Sequence, residues 1–308
     1  MKILVTGGAG YLGTALCDLL AARPDVDELI IYDNLSRPNR NLFIEGQLPA
    51  HPGLRARFVL ADLLDTRRLE QELDGTDVVV HLAARVTTPF AHDDLHGFDQ
   101  VNRWGTAELG YLLERPGCTV SRVVNVSSAA VYGDTAEAAT PETVPAPVSA
   151  YGRSKWEGER MLARLSQDLE LCSVRCANVY GYGKSMRFDA VVNRLLFEAH
   201  FGGRMTVTGS GERRRSFVHI DAAARVLEHT AMGELGAGIF NLVDRTDSVL
   251  DVARAIGTLI PEVETMFISQ HLRLPDSVIA PDPRVPDALL EHRELAAVLQ
   301  EARRKFAF

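Results

Sequence analysis

The chain has 308 residues, 46% of them hydrophobic and 24% charged, with a formal net charge of −8. This balance belongs to a globular chain, with no low-complexity, repetitive or disordered composition. So acidic a chain is a poor general binder of nucleic acid or anionic membrane, and any phosphate it recognises must be met by local arginines and backbone amides. Arg213, Arg214 and Arg215 form the obvious local exception. No uninterrupted apolar stretch of about 18 residues occurs, and the N-terminus runs from Met1 and Lys2 into a strand and glycine loop instead of a signal peptide, so a cytoplasmic protein with neither membrane nor nucleic-acid partner is expected. Cys17, Cys118, Cys172 and Cys176 make no CxxC pair and no zinc spacing, so buried reduced thiols are expected and no metal is proposed.

Short Val/Ile/Leu-rich runs predict strands at Lys2 to Thr6, Leu29 to Tyr32, Arg57 to Leu60, Val78 to His81, Arg122 to Ser127 and Cys172 to Cys176. Helices are predicted between them, at Leu12 to Ala22, Thr66 to Leu73, Phe98 to Glu114 and Tyr151 to Gln167. Such alternation predicts an α/β protein built on a doubly wound parallel sheet of Rossmann type, with helices on both faces. Residues 1–178 are expected to form the dinucleotide-binding domain. Residues 179–308 are expected to form a smaller α/β substrate lobe, with segments near 213–243 returning to the sheet.

In that lobe the expected elements are Phe188 to Phe201, Met205 to Thr208, a strand at Phe217 to His219, Asp221 to Met232, Ile239 to Val243, Ser248 to Leu259 and a terminal helix at Glu291 to Lys305. Between Gly133 and Ser149, Pro141, Pro145 and Pro147 predict a surface loop ahead of the Tyr151 helix, either bordering a cleft or merely connecting.

The first strand-to-helix turn, Thr6 to Gly13, places Gly7, Gly10 and Gly13 three residues apart. Gly7 permits the turn, Gly10 lets a pyrophosphate approach the amides at the helix start, and Gly13 lets helix and strand pack closely. Asp33, 20 residues after Gly13 at the end of the second strand, suits the adenine ribose hydroxyls and would repel a 2′-phosphate. NAD is favoured on that ground, while Arg37 and Arg40 keep NADP open. Asp62 is placed either for the adenine amine or as a helix cap.

Tyr151 and Lys155, four residues apart in YGRSK, share one helix face and can form a proton-transfer pair in which a cation favours the phenolate. Ser127 and Ser128 lie some two dozen residues upstream.

These segments occur in one order: TGGAGYLG, IIYDN, ADL at 61–63, HLAA at 81–84, Val101-Asn102 with Gly105-Thr106, SSAAVYG at 127–133, YGRSK, and RCANVYG at 175–181. Together, from Met1 to about Val243, they resemble the extended short-chain dehydrogenase/reductase family, and within it the nucleotide-sugar epimerases of the UDP-galactose 4-epimerase kind. The resemblance implies Ser128 as catalytic hydroxyl, Tyr151 as acid/base and Lys155 as the residue holding the nicotinamide ribose. The cofactor set it implies is Gly7, Gly10, Tyr11, Leu12, Gly13, Asp33, Asn34, Asp62, Leu63, Leu82, Ala83, Ala84 and Asn102, together with Tyr151 and Lys155. Asn178 and Arg215 resemble residues that hold the substrate's diphosphate, beside Ser128 and Tyr151 at the sugar. A nucleotide-diphosphate sugar is thus the implied substrate, NAD the cofactor, and a homodimer through helices near 98–114 and 151–167 the implied assembly.

Two departures narrow the reaction. Where sugar-nucleotide 4,6-dehydratases carry an Asp-Glu pair after the catalytic hydroxyl, this chain has Ala129 and Ala130, so epimerisation is expected over dehydration. A nucleotide-sugar ketoreductase or dehydrogenase is the alternative, with a dehydratase less favoured and a non-catalytic dinucleotide-binding scaffold disfavoured by the intact triad. The lysine that UDP-galactose 4-epimerases often carry after the HLAA segment is replaced by Arg85-Val86.

Overall fold

The computed structural model describes residues 1–37, 50–86, 94–135, 137–268 and 276–306. Seven parallel strands form the central sheet: β1 (Lys2–Thr6), β2 (Glu28–Asp33), β3 (Arg55–Leu60), β4 (Val78–His81), β5 (Arg122–Ser128), β6 (Glu170–Cys176) and β10 (Gly238–Leu242). Their spatial order is β10-β6-β5-β4-β1-β2-β3. Runs such as ILVT and VVVH are buried throughout because both faces of the sheet are covered.

One face carries α1 (Tyr11–Ala22) and α7 (Ile220–Ala231), which pack Leu16, Leu20, Ala223 and Leu227 against β1 and β4. The other face carries α2 (Thr66–Leu73), α4 (Thr106–Leu113) and α5 (Ala150–Ala163), whose Leu69, Leu109 and Leu162 meet Leu4, Ile30 and Val79. The chain leaves β1 for β2 on one side and β4 lies on the other, so the strand order reverses beside β1. Ligands of such sheets bind in the crevice beyond the carboxyl ends at that reversal.

The remaining elements form a second core around Leu195, Val207, Ile256 and Val298. A three-stranded sheet there runs β11 (Arg245–Ser248), β9 (Arg214–His219), β7 (Asn178–Tyr180), and a parallel pair joins β8 (Arg204–Thr208) to β12 (Glu264–Ile268). Helices α6 (Val191–Gly202), α8 (Val249–Leu259) and α10 (Leu295–Lys305) cover them, and the short α9 (Asp287–Leu290) packs near α7. Of the stretch 213–243, β10 lies in the central sheet, whereas β9 lies in the three-stranded one.

Several expectations need correction. The helix expected from Phe98 begins at α3 (Leu95–Phe98) and passes through a π-helical turn, Asp99–Gly105, before α4. The helix expected from Phe188 begins at Val191, and the terminal helix begins at Leu295, because Glu291 and His292 adopt positive φ. The stretch 133–149 is more than a connector: Ala139 is buried, bridges to Ile279, and the Pro141 carbonyl accepts from Arg175. Cys17, Cys172 and Cys176 are buried, but Cys118 is only half-buried, and all four are free.

Candidate active site

The glycine turn lies at the sheet reversal. Gly7 has φ +72°, and a Cβ there would sit 2.6 Å from the Ala83 nitrogen, so the turn rests directly on the Leu82–Ala83 backbone leaving β4. A Cβ on Gly13 would run into the Gly8 Cα at 2.7 Å, whereas one on Gly10 would meet only the Gly7 carbonyl at 3.1 Å. Gly10 caps α1 without a side-chain hydrogen bond, and the first turn holds no acidic residue. The first-turn amides at Tyr11, Leu12 and Gly13 are therefore positioned for an anion beside an open glycine face, which fits the pyrophosphate of a dinucleotide.

At the end of β2, Asp33 accepts from the amides of Ala9 (3.1 Å) and Leu35 (2.8 Å), which fixes its carboxylate beside the turn. Burial pushes its pKa up, with those two amides opposing. Asn34 donates to Asp62 Oδ2 (2.7 Å), and Asp62 Oδ1 accepts from Leu64 N (2.9 Å). The cap of α2 is Asp65, so the carboxylate of Asp62 is not the helix cap. Arg37 faces Asp189 at 4.0 Å, and Arg40 lies outside the described residues. With the Asp33 carboxylate beside the glycine turn and Arg37 turned to Asp189, NADP is expected to bind at least about tenfold more weakly than NAD. Fluorescence titration with each dinucleotide measures this ratio, and equal affinities would reject the assignment of Asp33.

Three expected cofactor residues use their side chains otherwise. The Tyr11 hydroxyl donates to the Gly181 carbonyl and accepts from Asn193 Nδ2 (3.3 Å), tying the glycine turn to the second core. Burial drives its pKa far up, so it stays a neutral phenol. Leu63 is buried with Val59 and Leu69, which leaves its backbone as the part able to meet a ligand. Asn102, within the π-helical turn, accepts from Arg85 N (2.8 Å) and donates to Arg85 O (2.9 Å) and Ser154 Oγ (2.9 Å). Its amide clamps the chain after β4 to α5 instead of reaching freely toward a ribose.

His81, absent from the expected set, is fully buried between Thr6 Oγ1 (2.8 Å) and Thr106 Oγ1 (2.9 Å). Burial, with Lys155 adding to it, lowers its pKa to about 3. The unfolded chain takes up a proton near pH 6.5 that the folded chain refuses until about 3, so stability is lost as pH falls through that window. His81→Gln should remove about one proton from this dependence, flattening the slope by up to about 1.4 kcal/mol per pH unit in urea titrations.

The proton-transfer group assembles where β5 meets α5. Ser128 ends β5 and its Oγ accepts from Ala130 N (3.2 Å). Ser149 caps α5 by accepting from Gly152 N (3.0 Å), and the absence of a Cβ at Gly152 lets the helix start press against the Ala130 carbonyl. Tyr151 consequently lies on Ser128, with Phe98 edge-on to its ring at 5.9 Å, and Lys155 follows one turn later, 5% exposed.

Burial raises the Tyr151 pKa above its ordinary value, while the hydrogen bond to Ser128 and the charge of Arg187 pull it down. Burial lowers Lys155 to about 8, with Glu159 opposing. Arg187, absent from the expected set, adds a cation whose charge lowers the Tyr151 pKa. Arg187 lies on the loop before α6, held by both oxygens of Asp189 at 3.1 and 2.9 Å. Its only sequence trace is the Arg-Phe-Asp triplet.

Asn178 and Arg215 both lie in the three-stranded sheet, Asn178 pairing with Phe217 and Arg215 with Asp247. Asn178 Nδ2 donates to the Ser216 carbonyl (3.0 Å), fixing β9 beside β7. Arg215 Nε is shielded from solvent and has no hydrogen-bond partner among the described residues. Arg175, in contrast, is bound: it pairs with Glu159 at 2.8 Å, donates to the Tyr132 hydroxyl, and is buried with both.

The model of a family described as the NAD dependent epimerase/dehydratase family matches residues 3–242. A dTDP-L-rhamnose 4-epimerase of Burkholderia thailandensis is 29% identical over 88% of this chain and 86% of its own length. A UDP-glucose 4-epimerase of Mycolicibacterium smegmatis is 33% identical over 72% of this chain and 70% of its own. Among solved structures, MoeE5 in complex with UDP-glucose and NAD superposes with a TM-score of 0.80 at 25% identity, over the whole of both chains.

Proposed function

Because the chain belongs to the NAD dependent epimerase/dehydratase family, we propose that it epimerises a nucleotide-diphosphate sugar through transient oxidation of one carbinol carbon to a ketone. The observation that carries this reading is the half-buried Tyr151 hydrogen-bonded to Ser128, with the buried Lys155 one helical turn on and Ala129 and Ala130 next to Ser128. The α1 amides and Asp33 would hold NAD along the glycine turn, where it would supply the acceptor and donor of hydride.

Tyr151 takes the proton of the reacting hydroxyl and returns it after the carbon has been inverted. Ser128 steadies the sugar oxygen by a hydrogen bond as the carbonyl forms, and also favours the phenolate. Lys155, at the foot of the pair, supplies a cation for the ribose side of the cofactor. Dehydration needs an acid and a base on neighbouring sugar carbons, and the two alanines provide neither. Asn178 and Arg215 are proposed to receive the diphosphate, for which the guanidinium fork is suited.

The reading also takes the protein as a cytoplasmic homodimer. Among the described residues no helix is long and apolar enough to cross a membrane, and Leu95, Trp104 and Tyr111 leave apolar surface along α3, the π turn and α4 for a second copy.

The test is incubation of the purified protein with UDP-, dTDP-, GDP- and CDP-sugars without added cofactor, with products separated by chromatography and identified by NMR. An epimer supports the reading. Stoichiometric change in reduced cofactor would point to a ketoreductase or dehydrogenase, and loss of water to a dehydratase.

A further inference from the structure

Arg213 stands one residue before β9 and Arg215 is its second residue; the Arg213 carbonyl accepts from Val249 N beside β11, and the Arg213 charge acts on Arg215. Arg214 is exposed, and its amide is held by Asp276 Oδ1 at 3.2 Å. Arg213 Nη1 and Arg215 Nε are both shielded from solvent, and neither has a hydrogen-bond partner among the described residues.

The neighbouring carboxylates are otherwise engaged. Asp247, opposite Arg215 in β11, accepts from Arg245 Nε at 2.5 Å. Asp276 attracts Arg215 only through space, while burial and the charge of Arg213 both press against its cationic form. A shielded donor without an acceptor is costly, and a second guanidinium close by adds repulsion. An anion with at least two negative groups relieves both penalties.

The pair is also tied to the reaction centre. Ser216 N donates to Ser277 O (2.9 Å), and Val278 N donates to Thr135 Oγ1 (3.0 Å), on the chain that continues from Ser128. Arg215, with Arg213 just ahead of it, thus lies on a strand stapled to the segment leaving the catalytic serine.

The structure assigns Arg213 as a second phosphate-binding residue acting with Arg215, so that the site takes a nucleoside diphosphate and discriminates against a monophosphate. This rests on the reading of Arg215 given above. Two forks can each donate a bidentate pair, one to each phosphate group. Arg213 touches none of the groups that move the proton, so its loss weakens binding and leaves turnover at saturation intact.

Calorimetry on the NAD-loaded protein with UDP, dTDP and GDP, and with the matching monophosphates, tests the assignment. For the diphosphate bound best, Arg213→Gln and Arg215→Gln should each weaken affinity about 10- to 100-fold and reduce its salt dependence. Monophosphate affinity should fall less than about threefold, and Arg214→Gln should match the parent protein. In the epimerase assay Arg213→Gln should raise KM with kcat within about threefold. Arg213→Lys, which keeps the charge and loses the fork, should fall between and guards against a folding defect in the glutamine variant. If Arg215→Gln weakens diphosphate binding and Arg213→Gln does not, the assignment of Arg213 is wrong while the proposed function stands. If the parent protein binds none of the diphosphates, the proposed function fails with it.

Discussion

Tyr151→Phe is expected to lower turnover by about 10²- to 10⁴-fold while leaving NAD binding and the unfolding midpoint close to those of the parent protein. The variant keeps the ring that packs edge-on against Phe98 and removes only the oxygen that Ser128 contacts. Ser128→Ala should act in the same direction with a smaller loss, because it removes a hydrogen bond that lowers the Tyr151 pKa without removing the acid/base itself. Steady-state kinetics on the sugar nucleotide identified by the substrate panel, together with dinucleotide titration, measure both effects. A Tyr151→Phe protein that retains more than about a tenth of parental turnover would remove Tyr151 from the proton-transfer role.

The second large effect concerns stability. Arg175 and Glu159 are 1% and 4% exposed at the side chain, joined by contacts of 2.8 and 3.1 Å, with the Arg175 guanidinium over the Tyr132 ring at 4.8 Å. Glu159→Ala leaves a buried guanidinium without its carboxylate, which should destabilise the fold by about 3–5 kcal/mol. Replacing both partners, Arg175→Met with Glu159→Leu, should recover most of that loss, since neither charge then remains buried. Urea unfolding of the three proteins gives the comparison. Glu159 also raises the Lys155 pKa, so Glu159→Ala should shift the pH dependence of turnover toward lower pH even in protein that remains folded. A single variant within about 1 kcal/mol of the parent would contradict the view that this pair anchors α5 to β6.

The parallel sheet was legible because strands buried on both faces read as unbroken apolar runs, as in VVVH and KILVT. The glycine turn was legible because each glycine answers a local steric demand, and Gly7 and Gly13 meet backbone where a Cβ would stand. The strands β7, NVY, and β11, RTDS, left no such trace: they are short, and their burial comes from neighbours distant in sequence. Arg215 was legible as a candidate, but its strand begins earlier than expected, at Arg214, because pairing with β11 extends through the arginines.

What side chains do inside the site was less accessible. Tyr11 and Asn102 occupy positions the pattern singled out, yet their hydroxyl and amide are taken by partners 170 and 17 residues away. The contributions of Arg187 to Tyr151 and of Asp189 to Arg37 come from a loop that carries no motif. The order of effects on Tyr151 is likewise a property of burial, which spacing within one helix does not report.

The most direct measurement is the isotopic content of the epimer formed in D2O without added cofactor. If Tyr151 moves only the hydroxyl proton while the carbon-bound hydrogen leaves and returns within the site, NMR and mass spectrometry will find no solvent deuterium on the inverted carbon. Deuterium incorporated at that carbon would contradict the account.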